Sequence, residues 1–326
     1  MKDRYNREIN YLRVSVTDRC NLRCRYCMPE EGIPNLGHDS ILSLEEIARL
    51  IQVGTRVGIR KIRLTGGEPL VRRNLVRLVE YISAMPEIND IAITTNGVLF
   101  ARQAENLKKA GLTRANFSLD SLNPDRFRYI TRVGNVEDVK KAIFKAIELE
   151  MHPVKLNMVV VRGFNDDEVL DFAELARQYP LHVRFIEFMP IGDLVFWEGD
   201  RLVSSADIKS RIEQEYELEP GRSVAGNGPA KYYLVRGGKG SLGFISPMSN
   251  HFCAECNRIR MTADGRLRGC LHDRREIDLK APLRRGADDE ELLNLFSQAI
   301  AMKPAQHRMN DGWGLENERK MYQIGG

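Results

Sequence analysis

Six times in the first 190 residues a short β-rich run appears, and stretches of helical periodicity lie between these runs. This alternation leaves few folds open. The runs are YLRVSVT (11–17), KIRLTG (61–66), DIAITTNG (90–97), RANFSLD (114–120), PVKLNMVVV (153–161) and HVRFIEFMP (182–190). The helical stretches cover 43–57, 74–84, 100–110, 136–150 and 167–179. The first of them opens with Ser43 and Glu46, the spacing of a capping box. Strand and helix alternating at this interval predict βαβ units on a parallel sheet. Six units are two short of a closed (β/α)8 barrel, so the sheet is either an open barrel or a flat doubly wound sheet.

The pattern inside the strands decides between them. A parallel strand buried on both faces reads as a nearly continuous apolar run. Here one parity is polar. Arg13, Ser15 and Thr17 alternate with Leu12, Val14 and Val16, and Arg63 and Thr65 with Ile62 and Leu64. Asn116, Ser118 and Asp120 alternate with Ala115, Phe117 and Leu119, while Thr94, Asn96, Lys155 and Asn157 continue the series. Arg184 joins it, but Glu187 falls on the other parity, which suggests a bulge in the sixth strand. Crossover helices cover the outside of a parallel sheet. The polar face therefore lines a lumen, and unpaired polar groups there would cost about 1–3 kcal/mol each. The α/β fold expected is an incomplete (β/α)6 TIM-like barrel whose interior takes a polar ligand.

After residue 190 the alternation breaks. A helical stretch at 205–216 leads into the loop-rich EPGRSVAGNGPA (219–230), then two short β-like runs, YYLVR and SLGFISP. A division near 220 follows, with a barrel over 1–220 and a smaller domain over 221–326. With 49 Lys plus Arg against 45 Asp plus Glu, the net charge of +4 is spread along the chain and marks no nucleic-acid surface. No run approaches the ~18 apolar residues of a membrane helix. The polar start, MKDRYNREIN, has no signal-peptide core, which points to a cytoplasmic protein.

All six cysteines fall into two groups of three: Cys20, Cys24 and Cys27 as C-x3-C-x2-C, and Cys253, Cys256 and Cys270 as C-x2-C-x13-C. In a chain without a signal peptide such spacings read as metal or redox sites rather than disulfides. The count of three matters. Structural zinc takes four ligands, and a cubane iron–sulfur cluster is normally held by four Cys. Three thiolates leave one iron open to an outside ligand. Zinc remains an alternative, with His251 or His272 as a fourth ligand to the second group; the nearest His to the first group is His38.

The first group follows the first strand, at the mouth where barrel enzymes concentrate their chemistry. C-x3-C-x2-C with Tyr26 before the last Cys, followed by GGEP at Gly66–Pro69 after the second strand, resembles the radical S-adenosylmethionine superfamily. That resemblance implies a 4Fe–4S cluster whose open iron is chelated by S-adenosylmethionine, which is cleaved to a 5′-deoxyadenosyl radical. Gly67 suits close backbone approach to a ligand. By resemblance Tyr26, Gly67, Ser118 and Met189 contact S-adenosylmethionine.

CAECNRIRMTADGRLRGCL (253–271) narrows the match, together with YLRVSVTDRCNLRCRYCMP (11–29), KIRLTGGEPLVRR (61–73) and the terminal Gly325 and Gly326. These resemble the GTP 3′,8-cyclase family of molybdenum cofactor biosynthesis. The resemblance implies a second 4Fe–4S cluster in the smaller C-terminal iron–sulfur domain, its open iron contacting guanine. It also implies hydrogen abstraction from C3′ of GTP and closure onto C8, giving (8S)-3′,8-cyclo-7,8-dihydroguanosine 5′-triphosphate. Independently of family, Arg13, Arg63, Lys155 and Arg184 on the polar parity, with Arg258 and Arg260 beyond Cys256, form a cation set that demands an anion such as triphosphate. Lys61 and Thr94 join the nucleotide contacts by resemblance, and Arg258 and Arg260 are the candidates for supplying protons or stabilising charge.

The family further implies an external electron donor of flavodoxin or ferredoxin type, a downstream cyclic pyranopterin monophosphate synthase, a homodimer, and a diglycine tail that inserts towards the first site. Two other readings stay open: a radical S-adenosylmethionine enzyme acting on a peptide, and a zinc-stabilised binding protein. The second leaves the polar strand faces and the GGEP loop without a purpose.

Overall fold

The computed structural model describes every residue except 34–36, 190–200, 222–223, 225–227, 308–318 and 326, and the side chain at 38. The six strands form where the alternation puts them: β1 (Tyr11–Ser15), β2 (Lys61–Thr65), β3 (Asp90–Thr95), β4 (Arg114–Ser118), β5 (Val154–Val160) and β6 (Leu181–Glu187). Between and after them lie α1 (Leu44–Arg56), α2 (Leu75–Ser83), α3 (Phe100–Lys109), α4 (Pro124–Thr131), α5 (Val136–Glu148), α6 (Val169–Gln178) and α7 (Ser205–Glu213). The capping box is present: Glu46 N donates to Ser43 Oγ (3.0 Å) and Ser43 N to Glu46 Oε2 (2.7 Å). Short α4 was not expected. Asn123 caps it, and Pro124 opens it at a position where a missing N–H costs nothing.

The C-terminal part adds β7 (Leu218–Pro220), β8 (Lys231–Val235), β9 (Ser241–Ile245), β10 (Arg258–Met261), β11 (Arg266–Arg268) and β12 (Ile277–Asp278). Its helices are α8 (Lys280–Arg284), α9 (Asp289–Ala301) and α10 (Met321–Ile324). All these strands join one twelve-stranded sheet, in the order β12-β11-β10-β1-β2-β3-β4-β5-β6-β9-β8-β7. β1 to β6 are parallel neighbours in chain order. β10 adds in parallel outside β1, and β9 outside β6. The outermost strands pair antiparallel, and the sheet stays open between β12 and β7. Residue 220, where the sequence reading divides the chain, is the last residue of β7, and strands from both sides of it share the one sheet.

Strand parity sorts the two faces as the sequence suggests. Leu12, Val14, Ile62, Leu64, Ile93, Ala115, Phe117, Leu156, Val183 and Phe185 are fully buried in the apolar core. The amphipathic faces of α1, α2, α3, α5 and α6 contribute Ile47, Leu50, Leu78, Leu107, Val139 and Phe172 to that core. The bulge expected in the sixth strand is absent. β6 keeps unbroken register with β5 from Leu181 through Glu187. Glu187 belongs to the outer face, where its carboxylate accepts from Ser205 N (2.8 Å), Met248 N (3.0 Å) and Ser249 N (2.9 Å). Three backbone donors satisfy a buried charge there without any break in the ladder. Among the described residues no helix is long and apolar enough to cross a membrane.

Candidate active site between two cysteine triads

A cavity of about 390 Å³ opens at the C-terminal ends of the parallel strands, and all six cysteines line it. The first triad lies on the loop after β1. Two turns from Cys24 O, to Cys27 N and Met28 N (both 2.9 Å), fold it back on itself. Arg23 N and Arg25 N donate to Thr131 O and Ile130 O, which pins the loop to the end of α4. Tyr26 hydroxyl donates to Asp120 Oδ2 (2.9 Å), and Val159 N donates to Asp120 Oδ1 (3.0 Å), so β4, β5 and the loop are locked together. Tyr26 thus lines the cavity with its polar end already engaged.

The GGEP loop docks on this cysteine loop. Gly67 N donates to Thr17 O and Glu68 N to Arg19 O, both at 2.8 Å. A Cβ on Gly66 would sit 2.4 Å from Thr17 O, and one on Gly67 2.4 Å from Arg19 O. The close approach these glycines permit is first to the cysteine loop itself. Glu68, almost fully buried, accepts from Leu70 N (3.1 Å), Thr95 Oγ1 (2.7 Å) and Asn96 N (2.7 Å), tying the loop to the end of β3. Burial outweighs these bonds and pushes its carboxyl up to about 7. Asn96 Nδ2 in turn reaches Cys20 Sγ at 3.7 Å.

The second triad is assembled by a hairpin. β10 and β11 pair Arg260 with Arg268, which returns the chain so that Cys270 comes back beside Cys256. Because β10 lies along β1 with Arg13 opposite Arg260 and Tyr11 opposite Arg258, the hairpin carries its arginines to the lumen of the barrel. Arg63 lies opposite Arg13 on the other side. Arg184 donates to Asn116 Oδ1 (2.9 Å), and Arg63 reaches Thr94 Oγ1 at 3.5 Å.

Arg63, Arg184 and Arg260 are buried, and none of them, nor Arg258, forms a salt bridge among the described residues. Burial and neighbouring guanidinium groups depress Arg13 well below the ordinary arginine range. Burial also lowers Arg63 and Arg260, each to about 10. Among the described residues, the Nε donors of Arg63 and Arg184 are buried without a hydrogen-bond partner. Such crowding is costly unless an anion enters with acceptors for these donors. A polyphosphate has both properties.

The two triads differ in charge. Burial pushes Cys20 up to about 11, Cys27 up to about 12 and Cys24 well above the usual thiol range. Burial also opposes ionisation of Cys256, but Arg258 and Lys303 more than offset it and bring that thiol down to about 6. Metal ligation requires thiolates, and a bound cationic metal makes coordinating thiols give up their protons. Among the described residues no three His, Cys, Asp or Glu side chains are placed to hold a single metal ion. Three thiols at each site are the number that leaves one iron of a cubane cluster open, whereas closed structural zinc takes four ligands.

Ser118, Met189, Gly67, Thr94, Arg13, Arg63, Arg184, Arg258 and Arg260 all line the cavity. Lys61 and Lys155 do not. Lys61 opens β2 at the far end of the barrel, paired with Tyr11 and Asp90. Lys155 lies two residues below the lining Asn157, and burial followed by Arg184, Arg114 and Arg63 lowers its ammonium to about 6. Gly325 reaches the lumen: Arg260 Nη1 donates to its carbonyl (2.6 Å), and it packs against Thr65 and Ser15. Gly326 lies outside the described residues. Sequence reasoning gave no role to Glu68, the acid of GGEP, or to Asp120 on the polar parity, and it missed Lys303 and His307, which carry no motif. It used His272, which lines the cavity, only as a zinc alternative.

Residues 14–176 match the radical SAM superfamily and residues 181–309 match Molybdenum Cofactor Synthesis C. The chain is 67% identical to the GTP 3′,8-cyclase of Syntrophomonas wolfei and 57% identical to that of Desulforamulus reducens. It is 55% identical to that of Moorella thermoacetica, and each alignment covers 100% of both chains. Among solved structures, Streptococcus suis SuiB bound to S-adenosylmethionine superposes with a TM-score of 0.59 at 12% identity. That match covers 89% of this chain and 65% of SuiB, and it speaks for the fold alone. With two cysteine triads facing one arginine-lined lumen, and full-length relatives of this identity, the chain belongs to the radical S-adenosylmethionine superfamily and, within it, to the GTP 3′,8-cyclase family.

Proposed function

We propose that this chain converts GTP into (8S)-3′,8-cyclo-7,8-dihydroguanosine 5′-triphosphate, the first step of molybdenum cofactor biosynthesis, using two 4Fe–4S clusters and S-adenosylmethionine. The observation that carries this reading is a single cavity lined by both cysteine triads and by Arg13, Arg63, Arg184, Arg258 and Arg260. When bound, the reduced first cluster supplies the electron that cleaves S-adenosylmethionine to the 5′-deoxyadenosyl radical.

In this reading Cys20, Cys24 and Cys27 hold the first cluster, and Cys253, Cys256 and Cys270 the second. Tyr26, Gly67, Ser118 and Met189 surround S-adenosylmethionine. Arg13, Arg63, Arg184 and Thr94 bind the nucleotide, their guanidinium groups neutralising its phosphates in place of one another's repulsion. Arg258 and Arg260, next to the second triad, fix the base and ribose and stabilise the charge that develops as C3′ closes on C8. Lys155 lies under the lining and Lys61 at the barrel's far end, so in this reading neither touches the nucleotide directly. The supporting partners in this reading are a flavodoxin- or ferredoxin-type donor and a downstream cyclic pyranopterin monophosphate synthase, in the cytoplasm, with the enzyme as a homodimer.

Anaerobic reconstitution with iron and sulfide, then incubation with dithionite, S-adenosylmethionine and GTP, tests the reading by mass spectrometry. 5′-Deoxyadenosine together with a GTP isomer is expected. 5′-Deoxyadenosine without that isomer would refute GTP as the substrate.

A further inference from the structure

The second cysteine triad is braced by a segment that no motif marks. After α9 the chain crosses behind the triad, and Lys303, only 3% exposed, has all three ammonium donors engaged there. Nζ donates to Gly269 O (2.8 Å), to Arg258 O (2.9 Å) and to Cys256 Sγ (3.4 Å). Gly269 immediately precedes Cys270, and Arg258 lies two residues past Cys256, so this one side chain joins the two arms of the hairpin that present the triad. The same segment is gripped from the N-terminus. Arg7 donates to Cys253 O (2.8 Å), Ala305 O (3.0 Å) and Pro304 O (2.7 Å), with Asp3 as its counterion.

An ammonium this buried is expensive to desolvate unless something compensates its charge. Two of its three acceptors are neutral carbonyls. Only the sulfur can carry the compensating negative charge, as it does when ligating a metal. An N–H donor and a fixed cation against a ligating thiolate favour the more negative, reduced form of an iron–sulfur centre.

We propose that Lys303 is a positioning residue for the second iron–sulfur cluster, holding the Cys256 and Cys270 arms together and raising the cluster's reduction potential through its fixed charge. This rests on the reading above that Cys253, Cys256 and Cys270 hold a cluster. No described contact links Lys303 to Cys20, Cys24 or Cys27, so the first cluster serves as an internal control.

The test is a potentiometric titration of the reconstituted enzyme followed by electron paramagnetic resonance, in wild type, Lys303→Met, Lys303→Gln and Lys303→Arg. Met and Gln should make reduction of the second cluster about tenfold less favourable, ~59 mV for a one-electron couple, and leave the first unchanged. Arg should stay near wild type. If Met prevents cluster assembly, Gln, which keeps a donor but no charge, carries the measurement. Wild-type potentials in the charge-removing variants would overturn the inference, as would loss of the second cluster in Lys303→Arg. A wild-type enzyme with no second cluster would instead overturn the reading on which the inference rests.

Discussion

Replacing Gly67 by Ala offers a sharp separation between folding and function. The new Cβ would lie 2.4 Å from Arg19 O and 2.5 Å from Asp18 O, where ordinary contacts begin at 3.4 Å. Both obstacles are backbone, so no side chain can swing away, and the two loops must part by about 1 Å. That movement breaks the bonds from Gly67 N to Thr17 O and from Glu68 N to Arg19 O. At about 1 kcal/mol each, the loss is about 2 kcal/mol. An unfolding entropy of ~2.1 cal/mol/K per residue makes that a Tm shift of only about 3 °C for a chain of 326 residues. Catalysis should suffer far more. The loop displaced is the one that carries the first cysteine triad, and a misplacement of ~1 Å typically costs about 100-fold in rate. The assay is the rate of 5′-deoxyadenosine formation in anaerobically reconstituted protein, with calorimetry alongside. Gly37→Ala, where a Cβ meets nothing within 4 Å, is the matched control. If Gly67→Ala cleaves S-adenosylmethionine at the wild-type rate, the contact between the glycine and cysteine loops does not position the chemistry.

Arg258→Ala and Arg260→Ala should each abolish cyclisation while leaving S-adenosylmethionine cleavage largely intact, read as 5′-deoxyadenosine without a GTP isomer; full cyclisation in both would refute their role. Because Arg260 holds Gly325 O at 2.6 Å inside the lumen, a bulky C-terminal tag should lower turnover at least tenfold, and an equally active tagged enzyme would show that the tail's position is dispensable. Lys155 predicts a pH effect on stability. Its ammonium falls to about 6 in the fold from 10.5 in the free chain, so between those values the unfolded state holds the extra proton and stability rises with pH. Urea midpoints between about pH 7 and 9 should climb in wild type and flatten in Lys155→Met; equal slopes would refute the assignment.

Strand parity was the most legible feature of the chain. Because side chains alternate with period two, Arg13, Arg63, Asn157 and Arg184 could be placed on a common lumen before any contact was known. The capping box at Ser43 and Glu46 was legible for the same reason: its interactions span three residues. Glu187 was misread because its satisfaction comes from Ser205 at the start of α7 and from Met248 and Ser249, all beyond its own strand. Lys61 and Lys155 share the lumen parity with the arginines, but parity carries no information about depth along the barrel axis. Lys303 and Arg7 were invisible because their acceptors are mostly carbonyls, a property of backbone geometry and not of residue type. β10 lies within the segment that carries the second cysteine group, but its place as a barrel strand shows only once its partner strand β1 is known.

That pairing has a consequence for synthesis. β1 leaves the ribosome before the other described strands, yet one of its two ladder partners, β10, comes about 250 residues later. At translation rates of roughly 5–20 residues per second, β1 would wait some 12–50 s with that edge uncovered. An open parallel edge is a template for wrong pairing, and the adjacent cysteine loop is exposed for the same interval. The nascent first half is thus the vulnerable species. Its protection during translation therefore matters to the yield of folded protein beside the stability of the finished sheet.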